Sequence, residues 1–212
     1  MHFFPSRTIA IEIFGISITW YAICIITGAL IAYTISTHRV KKRGYDIDLS
    51  DFFTYMLFIG IIGARIWYCV FRWDLYQDNP SDVLKIYEGG LAIQGGVIAA
   101  LIFSVIYFKK QNIPFIAVAD CCMPTVLIAQ ACGRWGNFIN QEAFGQVMSE
   151  AQINALHLPQ FIKEGMFING NYYQPTFLYE SVCNLIGFFV IVLIVHKILK
   201  YRGIEFGSYF IW

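Results

Sequence analysis

Five runs of about twenty apolar residues, at 16–36, 51–72, 91–108, 115–132 and 176–199, leave this chain few folds to choose from. A hydrocarbon core roughly 30 Å thick is crossed by about 20 helical residues. Within lipid no water satisfies a stray amide or carbonyl, so a run of this kind must close its own hydrogen bonds as a helix. Composition agrees: 58% of the 212 residues are hydrophobic and 14% charged, where a soluble domain carries about a quarter charged. The expected fold is an all-α integral membrane protein, a multi-helix bundle forming one transmembrane domain over residues 1–212. A further apolar run begins near Phe206 and reaches Trp212, too short to cross. It reads as the start of a sixth helix in a chain whose remainder lies beyond this sequence.

Charge sets the orientation. His38-Arg39-Val40-Lys41-Lys42-Arg43 follows the first run, Lys109-Lys110 the third, and Lys197, Lys200 and Arg202 the fifth, so nine of the fifteen Lys and Arg residues fall in alternate loops. The positive-inside rule places those loops in the cytoplasm and the N-terminus outside. The intervening loops are acidic or mixed, with Asp74, Asp78, Asp82, Lys85 and Glu88 after the second run. The long segment 133–175 after the fourth is then an extracytoplasmic head. Within it Asn169-Gly170, between apolar and aromatic neighbours, predicts a type I′ hairpin turn. Residues 1–15 mix Phe3, Phe4 and Pro5 with Arg7 and Glu12 and suit an interfacial segment without a cleavage site, hence a retained first helix. Trp20 and Tyr21, and Trp67, Tyr68, Trp73 and Tyr76, sit where an aromatic belt belongs. The six cysteines lie inside apolar segments without metal or disulfide spacing and read as packing residues. Basic residues are dispersed and the net charge is +1, which gives no nucleic-acid surface.

Polar residues in or beside the spans converge on the outer side: Tyr21, Arg65, Gln94, Arg134, Asn137 and Glu180. Asp120 is the outlier, fourteen residues before Arg134 and therefore roughly 20 Å from it along a helix. A charge at the bilayer centre costs roughly 2.5–3.5 kcal/mol on insertion scales, so such residues need partners or a task. The densest cluster is Gly133-Arg134-Trp135-Gly136-Asn137-Phe138-Ile139-Asn140-Gln141-Glu142-Ala143-Phe144-Gly145. Arg134 offers a planar, permanently charged fork for a phosphate. Glu142 is the carboxylate nearest in sequence that could hold the arginine or accept a proton, and the glycines would let backbone amides approach an oxyanion. Structural readings stand beside these: a helix C-cap at Gly133 with a snorkelling Arg134, Arg65 paired with a carboxylate inside the bundle, Tyr21 in the belt only, Glu180 capping the fifth helix, and Gly89-Gly90 and Gly95-Gly96 as turns and close helix packing.

That cluster resembles the signature of the bacterial prolipoprotein diacylglyceryl transferases. Trp20-Tyr21, Gly63-Ala64-Arg65, the run from Glu88 to Gly96, Asp120 with Pro124, and Pro175-Thr176-Phe177-Leu178-Tyr179-Glu180 are similar to the family's other blocks, in its order. The resemblance implies seven helices with a head between the fourth and fifth, and a plasma-membrane enzyme using no metal or cofactor. It implies transfer of diacylglyceryl from phosphatidylglycerol to the cysteine thiol of lipoprotein precursors, with glycerol 1-phosphate leaving. Arg134 would bind the lipid phosphate, and Asn137, Asn140, Glu142 and Gly145 would shape the site, with Tyr21 among the catalytic residues and Gln94, Gly95, Gly96, Arg65 and Glu180 on the substrate. Positions 94 and 174 are glutamine where histidine is usual in the family, and glutamine cannot act as a base near neutral pH. A catalytically impaired lipid-binding relative is therefore one alternative. A small-solute transporter is another, although residues 125–132, between Asp120 and Arg134, are nearly all apolar.

Overall fold

The computed structural model describes residues 9–13, 16–86, 89–199 and 202–212. Among the described residues five helices are long and apolar enough to cross a membrane: α1 (Trp20–Lys42), α2 (Leu49–Phe71), α3 (Ile93–Lys110), α4 (Phe115–Asn140) and the continuous helical stretch Thr176–Ile198. That stretch comprises α7 (Thr176–Phe189), a π-helical turn at Val190–Val195 and α8 (His196–Leu199). A last helix, α9, spans Ile204–Ile211. Most spans leave their apolar side chains facing outward, as lipid contact requires, with 11–22% of the apolar window buried. In α4 the share is 56%, so α4 is the enclosed one.

Two boundaries differ from the sequence expectation. The first helix begins at Trp20, not 16, because Ile16–Thr19 (β2) pairs antiparallel with Ile9–Ile13 (β1), a short hairpin where an interfacial segment was expected. The expectation for Phe3, Phe4, Pro5 and Arg7 lies outside the described residues, as do Glu88 and Lys200. The fourth helix continues through the signature to Asn140 and does not end at 132. Gly133 is thus a mid-helix residue and not a C-cap, and within 133–175 the chain leaves the helix after Asn140. The helix can continue because its glycines cause no break and its arginine finds an ion-pair partner. That segment comprises β3 (Val147–Met148), α5 (Glu150–Ala155), α6 (Gln160–Gly165), β4 (Phe167–Ile168) and β5 (Asn171–Tyr173), in strand order β3-β5-β4. The β4–β5 turn is the expected one: Asn169 and Gly170 both have positive φ, 48° and 83°.

The chain divides into two compact units, one made of residues up to Arg39 together with Ala119–Trp212, the other of Val40–Val118. In the first, α4 packs on α1 through Gly28, whose missing side chain admits Ala129 and Cys132, and through a 2.9 Å hydroxyl pair, Ser36 with Thr125. It packs on α7 and the π-helical turn after it through Leu127, Ile128, Phe188 and Ile191. Beneath the head lies a second cluster of Phe138, Ile139, Ile162, Met166 and Phe177, with Phe138 and Phe177 stacked 4.3 Å apart. At the other end of this unit Glu205, fully buried, accepts from Arg39 and pairs with His196 at 2.8 Å. Asp120, the sequence outlier, caps the N-terminus of α9 by accepting from the Gly203 and Phe206 amides at 2.6 and 2.9 Å. Its backbone carbonyl accepts from Arg39 at 3.0 Å.

In the second unit, α2 and α3 form an antiparallel pair. Phe52, Phe103, Tyr107 and Phe108 interlock at one end. At the other, Gly63 meets Ala99 and the Gly95 backbone, and Gly95 meets Trp67, so the helices approach closely there. The α2 N-cap is Asp48, which accepts from the Ser50 amide at 2.8 Å; that bond holds its carboxyl below the usual range.

Candidate active site

Threefold spacing on α4 sets the site out. Trp135, Phe138 and Ile139 bury one face against the head, while Arg134, Asn137 and Asn140, three residues apart, follow each other along a neighbouring stripe. The chain then turns sharply through Gln141 and Ala143, both at positive φ (55° and 52°). Glu142 is returned towards the helix by its amide bond to the Asn137 carbonyl at 3.0 Å. Its Oε1 accepts from the side-chain amides of Asn137 and Asn140 at 3.2 and 3.3 Å. Glu142 therefore does not hold Arg134; two asparagines hold Glu142.

The partner of Arg134 is Glu180 on α7, one turn beyond Thr176. Both side chains remain partly accessible, 35% and 45% exposed. Glu180 is thus a counter-ion and not a helix cap. The signal for it in the sequence was the pair of opposite charges near the margins of two spans; what sequence could not say was which carboxylate the arginine would choose.

Tyr21 joins this group from the first turn of α1. Its ring lies against Gly136, where an added Cβ would come within 2.7 Å of it. The loop after Glu142 is pinned to the start of α7: the Gly145 amide donates to the Gln174 carbonyl at 3.1 Å, and Thr176 donates to the Ala143 carbonyl at 2.9 Å. A side chain at Gly145 would collide with Gln174 and Thr176. Gln141, to which the sequence reading assigned no role, ties the loop to the head by donating to the Gly165 carbonyl at 2.8 Å. A small pocket lined by Asn137, Glu142, Phe144 and Thr176 opens beside the carboxylate. Asn140 Oδ1 is buried without a hydrogen-bond partner among the described residues.

The sequence-derived site residues therefore fall into two groups. Tyr21, Arg134, Asn137, Asn140, Glu142, Gly145 and Glu180 belong to the first unit; Arg65, Gln94, Gly95 and Gly96 belong to the second. In the second, Gly95 is buried against α2 while its neighbour Gln94 is exposed on the first turn of α3. Arg65 departs from its structural reading as the partner of a carboxylate inside the bundle. It is 5% exposed and meets no carboxylate among the described residues; all five N–H donors of its guanidinium go to backbone carbonyls. Its cation lies 5.3 Å over the ring of Tyr76, which is buried and not part of an exposed belt. Burial raises that phenol above its ordinary range.

Comparison with known proteins matches this arrangement to a family. The model of the family described as prolipoprotein diacylglyceryl transferase matches residues 8–212. The chain belongs to that family. It is 43% identical, over 98% of its length and 75% of the relative's, to the phosphatidylglycerol--prolipoprotein diacylglyceryl transferase of Listeria monocytogenes serotype 4a. To the proteins of that name from Bacillus velezensis and Halalkalibacterium halodurans it is 41% identical, covering 77% and 72% of them. Family membership and five spanning helices make it a multi-pass membrane protein.

Proposed function

We infer that this protein is a transferase that moves the diacylglyceryl group of phosphatidylglycerol onto the cysteine thiol of prolipoproteins, the first step of lipoprotein maturation. Its substrates are a membrane lipid and a membrane-borne precursor, so both arrive within the bilayer. In the step itself the cysteine sulfur attacks the glyceryl carbon bonded to the phosphate oxygen. A C–S bond forms, the C–O bond breaks, glycerol 1-phosphate leaves with the electron pair, and the thiol proton passes to a base.

The observation that carries the assignment of roles is the Arg134–Glu180 pair beside the amide-held Glu142. Arg134 is a phosphate clamp whose fork rests on Glu180 and exchanges it for the lipid phosphate, stabilising the charge that builds on the leaving group. Asn137 and Asn140 orient Glu142, which is placed to accept the proton or to order the nucleophile. Tyr21 packs on the signature helix, and Gly145 keeps the adjoining loop against α7. In the second unit Gln94 is exposed on the first turn of α3 for contact with lipid, while Gly95 and Gly96 seat that turn against α2. The chemistry asks for no metal or cofactor, and nucleic acid is not a partner. By the positive-inside rule the basic loops lie in the cytoplasm, with the N-terminus and the 133–175 head outside the bacterial plasma membrane, the single transmembrane domain carrying that head as an insertion.

The test is transfer of labelled diacylglyceryl from phosphatidylglycerol to a peptide bearing a lipoprotein-type cysteine, by the natural full-length protein and its Arg134→Ala variant. Transfer by the first and its loss in the second is the expected result; transfer by neither would overturn the assignment.

A further inference from the structure

Arg65 occupies a position that the transfer reaction does not explain by itself. Its Nε donates to the Val83 carbonyl at 2.8 Å, one Nη to Gly89 and Gly90 at 2.7 and 3.0 Å, and the other to Asp82 and Lys85 at 2.7 and 3.3 Å. A guanidinium has five N–H groups, and five bonds account for them. With the side chain 5% exposed, it has neither a donor nor the access to hold a substrate phosphate.

Those five carbonyls all belong to the stretch that leads into α3. The same turn of α2 grips the stretch twice more: the Ala64 carbonyl accepts from the Ala92 amide at 3.1 Å, and Gly63 and Trp67 receive Gly95. With Gly95 seated inward, Gln94 is turned outward on the first turn of the helix. A lysine could not substitute, because three rotatable donors on a point charge cannot span five carbonyls arranged around a plane.

We propose that Arg65 is a positioning residue: it clamps residues 82–85 and 89–90 to α2 and so fixes where Gln94, on the first turn of α3, stands for the lipid. This rests on the reading of Gln94 as part of the lipid site. The clamp takes the place of the substrate contact first expected of Arg65 and gives the arginine a purpose that needs no counter-charge.

The test uses the full-length protein with Arg65→Lys, Gln94→Ala and the double variant, scored for kcat/KM with phosphatidylglycerol, for thermal midpoint, and for tryptic cleavage after Lys85. Arg65→Lys should lower kcat/KM at least tenfold and speed cleavage after Lys85 at least fivefold. The loss caused by Gln94→Ala should shrink at least threefold in the Arg65→Lys background, since residues acting through one another are not additive. A merely structural residue would give additive losses. Should Arg65→Lys fail to accumulate, Ala92→Pro, which removes the amide that Ala64 accepts, should show the same faster cleavage and the same non-additivity with Gln94→Ala. Wild-type kcat/KM in Arg65→Lys, additive losses, or a raised KM with unchanged cleavage would overturn the clamp. A silent Gln94→Ala would overturn it too, by removing Gln94 from the lipid site, and is distinguishable because both Arg65 readouts would still respond.

Discussion

At the scale of single residues, the consequence of the structure is that two carboxylates near Arg134 divide their work. Glu180 takes the guanidinium and Glu142 is taken by Asn137 and Asn140. If the fork is what the phosphate needs, Arg134→Lys should lose at least tenfold in kcat/KM although the charge is kept. Arg134→Ala should lose about 2.7–4 kcal/mol of transition-state stabilisation, with insertion unchanged; single-turnover and steady-state rates measure it. Glu180→Gln removes only a half-exposed counter-ion, and such pairs are worth roughly 0–1 kcal/mol. KM for phosphatidylglycerol should fall, by about fivefold at most; a higher KM would show instead that Glu180 orients the arginine for the lipid. Gln94→His and Gln94→Ala separate hydrogen bonding from base catalysis. Both should retain turnover, alanine losing about 0.5–1.5 kcal/mol, whereas a hundredfold gain with histidine would mark the protein as an impaired relative.

At the scale of elements, α4 is the spine on which the site is built, and its glycines are unequal. Gly136 is filled by Tyr21, whereas nothing among the described residues lies within 4 Å of a Cβ at Gly133. Gly136→Ala should therefore overpack the α1 contact and cost about 1–3 kcal/mol. Gly133→Ala should be neutral or stabilising by up to about 1 kcal/mol, because it relieves a mid-helix glycine. Thermal melts of the two variants in the same detergent would decide. A loss at Gly133 as large as at Gly136 would contradict the helix running through the signature.

At the scale of the whole molecule, the two ends of the first unit are held by different means: aromatic packing beneath the head, and buried ions around Glu205. Removing one partner of a buried pair strands the other, so Arg39→Met or Glu205→Leu alone should destabilise by about 3–5 kcal/mol, and the double variant by much less. Orientation is tested separately. A reporter active only outside the cytoplasm should be active when fused near Asn169 and silent near Lys41 or Lys109.

The apolar runs determined by themselves that the chain spans the membrane with five helices, because length and hydropathy alone meet the demands of lipid. The Asn169-Gly170 turn was likewise legible, since both of its residues tolerate positive φ. The signature residues could be picked out by type, yet their pairing could not. Whether Arg134 meets Glu142 eight residues on or Glu180 forty-six residues on depends on how α7 and the π-helical turn after it pack against α4 through Leu127, Ile128, Phe188 and Ile191. The same holds for Arg65: a lone arginine in an apolar run announces a need for partners, but backbone carbonyls are present in every sequence and leave no mark in it. Only the folded chain decides which carbonyls turn towards the charge.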